Sequence, residues 1–152
     1  MRKFLTILTS LLFFNLIYSN NLEFTNAEIS ANESGVIELL LDNPEDQIAG
    51  IQFQIIDYPN QGSFIGVEPT DRLGDFMVDF YEQDDGSVII VGFSLTGSLI
   101  DTGSGAILSL TYQSNNQYSA EINISLNSEA SFLGDTLGNA LTYTYSSGTI
   151  TV

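Results

Sequence analysis

The sequence predicts an all-β fold, a single antiparallel β-sandwich of about nine strands. Apolar residues recur at every second position almost throughout, and no window of eleven residues carries a helical stripe. Turn signals punctuate the chain at intervals of about 8–15 residues, the spacing of a sandwich. There is no cysteine, so the fold must rest on core burial, and residues 21–152 are enough chain for one core.

The elements follow in order. Residues 22–24 open a short strand. In 36–42, Ile37, Leu39 and Leu41 share the core face, and Pro44 then ends pairing because it has no N–H to give a ladder. Residues 48–56 place Ile51, Phe53 and Ile55 inward and Gln52, Gln54 and Ile56 outward. Residues 64–67 form a short strand. Pro69-Thr70-Asp71 then marks a surface loop that would carry Arg72.

In the next strand Phe76, Val78 and Phe80 alternate with Met77, Asp79 and Tyr81. Asp84-Asp85-Gly86-Ser87 closes a hairpin, since glycine accepts the positive φ such a turn requires. The returning strand places Ile89, Val91, Phe93 and Leu95 on the core face and Val88, Ile90, Gly92 and Ser94 outward. Leu108, Leu110 and Tyr112 mark the next core face, and Ile122, Ile124 and Leu126 the one after. A last hairpin is expected from 141–145 and 149–152 around Ser146-Ser147-Gly148.

Residues 1–20 read as a secretory signal peptide. Arg2 and Lys3 precede a mostly apolar run at 4–17, which is short for a bilayer span, and a small residue, Ser19, marks a cleavage point. The domain is then 21–152, and the expected location is outside the cell, secreted or at its surface. Past the signal, one cation, Arg72, stands against nineteen carboxylates, a net charge of −18. Such a chain repels nucleic acid and anionic membranes. It has no histidine or cysteine and, past the signal, no lysine. That excludes imidazole and thiolate catalysis, Schiff bases and an ordinary zinc site. The expectation is a non-enzyme.

Three stretches together resemble a cohesin-type domain. The first is Leu41-Asp42-Asn43 followed by Ile48-Ala49-Gly50-Ile51-Gln52-Phe53-Gln54-Ile55. The second is Val91-Gly92-Phe93-Ser94-Leu95-Thr96-Gly97 with Gly103-Ser104-Gly105-Ala106-Ile107-Leu108-Ser109-Leu110-Thr111-Tyr112. The third is Phe132 and Asp135 with the closing Gly148-Thr149-Ile150-Thr151-Val152. The resemblance spans about residues 22–152 and implies a nine-stranded jelly-roll-like sandwich related to cellulose-binding modules. It implies a non-catalytic role in which one sheet face docks the calcium-loaded dockerin domain of another protein. The family's recognition positions fall on Gly50 and Gln52, and on Gly92, Ser94 and Leu95.

The partner-binding candidates are Gln52, Gln54, Ile56, Ile90, Gly92 and Ser94 on the face opposite the core. The competing reading is that outward aliphatics serve strand propensity alone. A polysaccharide-binding alternative uses Tyr81, Tyr143 and Tyr145, because tyrosine offers an apolar ring face and a hydroxyl. Its competitor is edge packing. A structural surface protein is a further alternative. No cofactor is expected. The candidate calcium ligands are Asp84 and Asp85, although their spacing is not that of an EF loop and turn-forming aspartates look the same. Asn32 and Asn123 lie in glycosylation sequons.

Overall fold

The computed structural model describes residues 19–115 and 119–152; of the expected signal peptide, residues 1–20, only Ser19 and Asn20 lie within them, and Asn20 opens the first strand. Thirteen strands occur among the described residues. They are β1 (Asn20–Phe24), β2 (Ala27–Glu28), β3 (Ser34–Asn43), β4 (Gly50–Tyr58), β5 (Gly62–Pro69), β6 (Met77–Glu82), β7 (Val88–Phe93), β8 (Gly103–Ser114), β9 (Glu121–Leu126), β10 (Phe132–Gly134), β11 (Ala140–Leu141), β12 (Tyr143–Ser146) and β13 (Gly148–Thr151). A single 3₁₀ turn, Asp71–Leu73, lies between β5 and β6.

They form two sheets. The smaller runs β12-β1-β3-β8-β5. In the larger, β4 is central: β7 pairs along one edge with β6 beyond it. On β4's other edge β10 pairs at residues 50–52 and β9 at 55–58. β11 borders β10, and β13 and β2 continue beyond β9. The inward residues of both sheets make one core, with Phe53, Ile37, Leu39, Leu41, Leu108, Leu110, Tyr112, Ile122 and Ile124 fully buried. Burial at this level is the main source of stability in a chain without cross-links.

The sandwich class is as the sequence predicts, and the edges add something to it. The expected C-terminal hairpin does not form. β12 lies parallel to β1 in the smaller sheet, while β13 pairs antiparallel with β9 and parallel with β2 in the larger. The chain crosses between sheets at Gly148, beside the place where β1 passes to β2. A Cβ at Gly148 would sit 2.4 Å from the Thr25 carbonyl and 2.8 Å from Phe24 Cβ. Only glycine lets the two crossings lie so close. The Asn26 side chain ties them together, its oxygen accepting from the Thr149 N–H at 2.8 Å.

The facing of β7 reverses the expectation. Val88, Ile90 and Gly92 point into the core, while Val91 and Phe93 lie on the outer face and Leu95 projects beyond the strand. Cross-strand neighbours share a face, and β7 is in register with Gln52↔Val91 and Gln54↔Ile89 on one side. On the other, Phe80↔Ile90 and Tyr81↔Ile89 impose the same phase. Gly92 has no side chain because a Cβ there would meet Ile51 Cγ1 at 2.8 Å.

Arg72 is a second correction. Its guanidinium turns into the fold instead of projecting from a loop. It donates to the carbonyls of Leu41 (2.7 Å) and Gly103 (2.6 Å) and to the side-chain oxygen of Asn43, with the Gly105 and Asp101 carbonyls at 3.4 and 3.5 Å. All five are neutral oxygens. Asn43, fully buried, also donates to the carbonyls of Asp46 and Asp101. The domain's one cation therefore fastens the 3₁₀ turn to β3 and to the start of β8.

Candidate functional site

The outer face of β10, β4, β7 and β6 is built by period-two alternation on four neighbouring strands. Going across it, Phe132 opposes Gln52, Gln52 opposes Val91, and Val91 opposes Asp79. In the flanking rows Gly50, Phe93 and Met77 align, as do Gln54, Ile89 and Tyr81. Met77, Tyr81, Phe93 and Phe132 are exposed, at 54%, 59%, 45% and 42%. A concavity of about 450 Å³ lies between Met77, Asp79, Tyr81, Val91 and Phe93. An apolar strip of this breadth on an exposed sheet face has the anatomy of an interface.

Of the six partner-binding candidates, Gln52, Gln54 and Ile56 do lie on this face. Ile90 is fully buried and Gly92 is turned inward, so neither presents a contact surface. Ser94 lies just beyond β7 and organises a loop: its hydroxyl bonds Asp75 at 3.0 Å and receives the Thr96 and Ser98 N–H groups at 3.2 and 3.1 Å. Gln54 is fully engaged within the fold. Its amide donates to Ser87 Oγ at 2.8 Å and its oxygen accepts from Asn127 at 2.7 Å. Gln52 donates to the Ala130 carbonyl at 3.1 Å. The strip's apolar members, Met77, Tyr81, Val91, Phe93 and Phe132, replace Ile90 and Gly92 as the surface. The hairpin held the missing signal: pairing Glu82 with Val88 across the turn fixes the phase of β7 from that of β6.

The tyrosine candidates separate. Tyr81 belongs to the strip. Tyr143 and Tyr145 share a face of β12 and line a cleft of about 600 Å³ with Phe132, Leu141 and the serines 128 and 131. Tyr143 donates to the Ser131 carbonyl at 3.0 Å, and burial pushes its phenol up from the usual range. The turn aspartates act on the backbone. Asp85 accepts from the Ser87 N–H at 2.9 Å and its hydroxyl at 2.7 Å, bonds that hold its carboxyl below the usual range. Gly86 takes the positive φ of 85°. Among the described residues no group of three or more acidic side chains converges as a metal site would require. Nor is any helix among them long and apolar enough to cross a membrane.

No protein-family model and no curated protein matches the chain. Solved structures do. The third cohesin of ScaC from Acetivibrio cellulolyticus, in complex with the ScaB dockerin, superposes with a TM-score of 0.74 at 14% identity, over 88% of this chain and 98% of that one. The seventh ScaB type I cohesin from Pseudobacteroides cellulosolvens gives 0.71 at 15% identity, over 90% and 93%. A non-cellulosomal cohesin from the hyperthermophilic archaeon Archaeoglobus fulgidus gives 0.69 at 16% identity, over 88% and 91%.

The fold is cohesin-like. Its strands β4, β6 and β7 present one broad face, and the exposed apolar strip lies on that face.

Proposed function

We propose that this chain is an exported, non-catalytic docking module, binding a dockerin-type domain of a partner protein through the outer face of β10, β4, β7 and β6. The observation that carries the reading is the exposed apolar strip from Phe132 to Met77, on a fold shared with cohesins solved in complex with dockerins. Its composition, aromatics and methionine with Gln52 and Asp79 set among them, is that of a protein interface. Export is supported by the basic-then-apolar pattern of residues 2–17. A non-catalytic role is supported by the absence of histidine and cysteine and of lysine beyond residue 3. The test is calorimetric titration of the 20–152 domain against the dockerin domains encoded in the source genome. Saturable binding lost in Phe93→Asp supports the reading, and no binding to any of them rejects it.

The cleft lined by Tyr143 and Tyr145 favours a second reading, a saccharide site in which the rings stack on a sugar. A glycan array separates the two. Retention on a polysaccharide that is abolished by Tyr145→Ala supports this alternative, and retention unaffected by the change rejects the cleft as its site.

A further inference from the structure

The docking strip is apolar around a single carboxylate. Asp79 stands in its middle row, opposite Val91 and between Met77 and Tyr81 along β6. Asp75, two residues before Met77, is held at the rim by the hydroxyls of Ser94 and Thr96. Asp84 and Asp85 stand at the far end of the same hairpin, both exposed. No cation answers these charges from within. Arg72 is the one basic side chain beyond residue 3, and its guanidinium is committed to carbonyls and Asn43 on another part of the fold.

A partner covering the strip must therefore desolvate Asp79. An uncompensated carboxylate under an apolar contact is costly, whereas a facing ammonium or guanidinium turns it into a charge-assisted bond. A second copy of the chain cannot supply that cation. Face-to-face association would bring two Asp79 and two Asp75 carboxylates into one contact between molecules of like charge. On the reading given under Proposed function, we infer that the occupant is a basic partner surface, with a lysine or arginine directed at Asp79 and apolar side chains seated around it against Tyr81, Val91 and Phe93. Asp79 is the residue that selects it.

Selection from a phage-displayed library of helical hairpins, randomised on one face, tests this without a known partner. Only binders that lose affinity for the Phe93→Asp chain are retained, which restricts the test to the strip. The expected winners carry lysine or arginine and weaken about tenfold or more on Asp79→Lys and between about 50 and 500 mM NaCl. Exchanging that base for glutamate should restore binding to Asp79→Lys. Asp79→Asn, the milder change, should give an intermediate loss, and thermal melts of both variants exclude unfolding as the cause. Winners that are neutral or acidic and bind Asp79→Lys as well as the parent would overturn the charge assignment while leaving the docking face intact. If no binder proves sensitive to Phe93→Asp, or if sedimentation shows a dimer closed by this face, the docking reading fails and the inference with it.

Discussion

The Tyr112 hydroxyl donates to Asp57 Oδ2 at 2.6 Å in the interior, joining β8 of the smaller sheet to β4 of the larger. Both residues are buried, Tyr112 completely, and its ring also meets Phe64 edge-on with centroids 5.1 Å apart. Burial pushes the Asp57 carboxyl above its ordinary range, against the lowering effect of the tyrosine bond, and pushes the Tyr112 phenol up as well. The pair thus fixes how the sheets align at the cost of a desolvated carboxylate.

Two substitutions separate these effects. Tyr112→Phe removes the side-chain donor from the Asp57 carboxylate and should destabilise by about 1–3 kcal/mol. Asp57→Asn keeps an acceptor and removes the charge. Because the folded-state value of Asp57 is raised, its contribution is fully favourable below the unfolded value of about 3.9 and is lost as pH rises through the folded one. Asp57→Asn should therefore gain on the parent as pH rises from about 4 to 7. Asp75, Asp85 and Asp135, lowered by hydrogen bonds, act oppositely but are common to both proteins. Urea unfolding across that range measures the difference, and a variant that loses ground to the parent as pH rises would contradict the assignment.

Arg72→Ala should cost about 2–4 kcal/mol, since it removes the arginine donors from the Leu41 and Gly103 carbonyls and from Asn43 Oδ1 at once. Arg72→Lys keeps the charge but not the planar fork, and should recover less than half of that. Denaturation midpoints decide between this clamp and a bystander. An alanine variant as stable as the parent would show that the contacts contribute nothing.

Phe53→Ala should cost about 3–5 kcal/mol, because its ring is wholly enclosed between the sheets. By contrast, Phe93→Ala should change stability by less than about 1 kcal/mol, since that ring faces outward. Parallel thermal melts provide the comparison, and equal losses would place Phe93 in the core after all.

With a charge of −18 beyond residue 20 and the one arginine there bonded to neutral oxygens, like-charge repulsion has little internal relief. Screening should raise the melting temperature between about 10 and 500 mM NaCl. A melting temperature that falls with salt would overturn this view of the charge.

Much of the sandwich is legible in the sequence, because strands with one polar face declare their orientation. In β4, Gln52 and Gln54 mark the outside, and in β8 the run Leu108, Leu110, Tyr112 marks the inside. β7 does not declare itself: Val88-Ile89-Ile90-Val91 is apolar on both faces, so alternation alone is ambiguous and the register with β4 and β6 decides. The site residues inherited that ambiguity, which is why Ile90 and Gly92 were expected where Val91 and Phe93 stand. The parallel edges formed by β12 and β13 were hidden for another reason. A Ser-Ser-Gly turn reads the same whether the chain reverses in one sheet or crosses to the other, and only the close approach of Gly148 to Thr25 separates the two. The inward turn of Arg72 was not legible because its acceptors, backbone carbonyls and Asn43 Oδ1, are distant in sequence.

The proposed docking face is tested most directly by hydroxyl-radical footprinting of the domain alone and saturated with a dockerin-type partner. Met77, Tyr81 and Phe93 are reactive and exposed on the strip, while Val36 and Ile65 are exposed on the smaller sheet as internal controls. The account predicts that labelling of Met77, Tyr81 and Phe93 falls on binding while Val36 and Ile65 are unchanged. Protection of Val36 and Ile65, with Met77, Tyr81 and Phe93 still labelled, would contradict it.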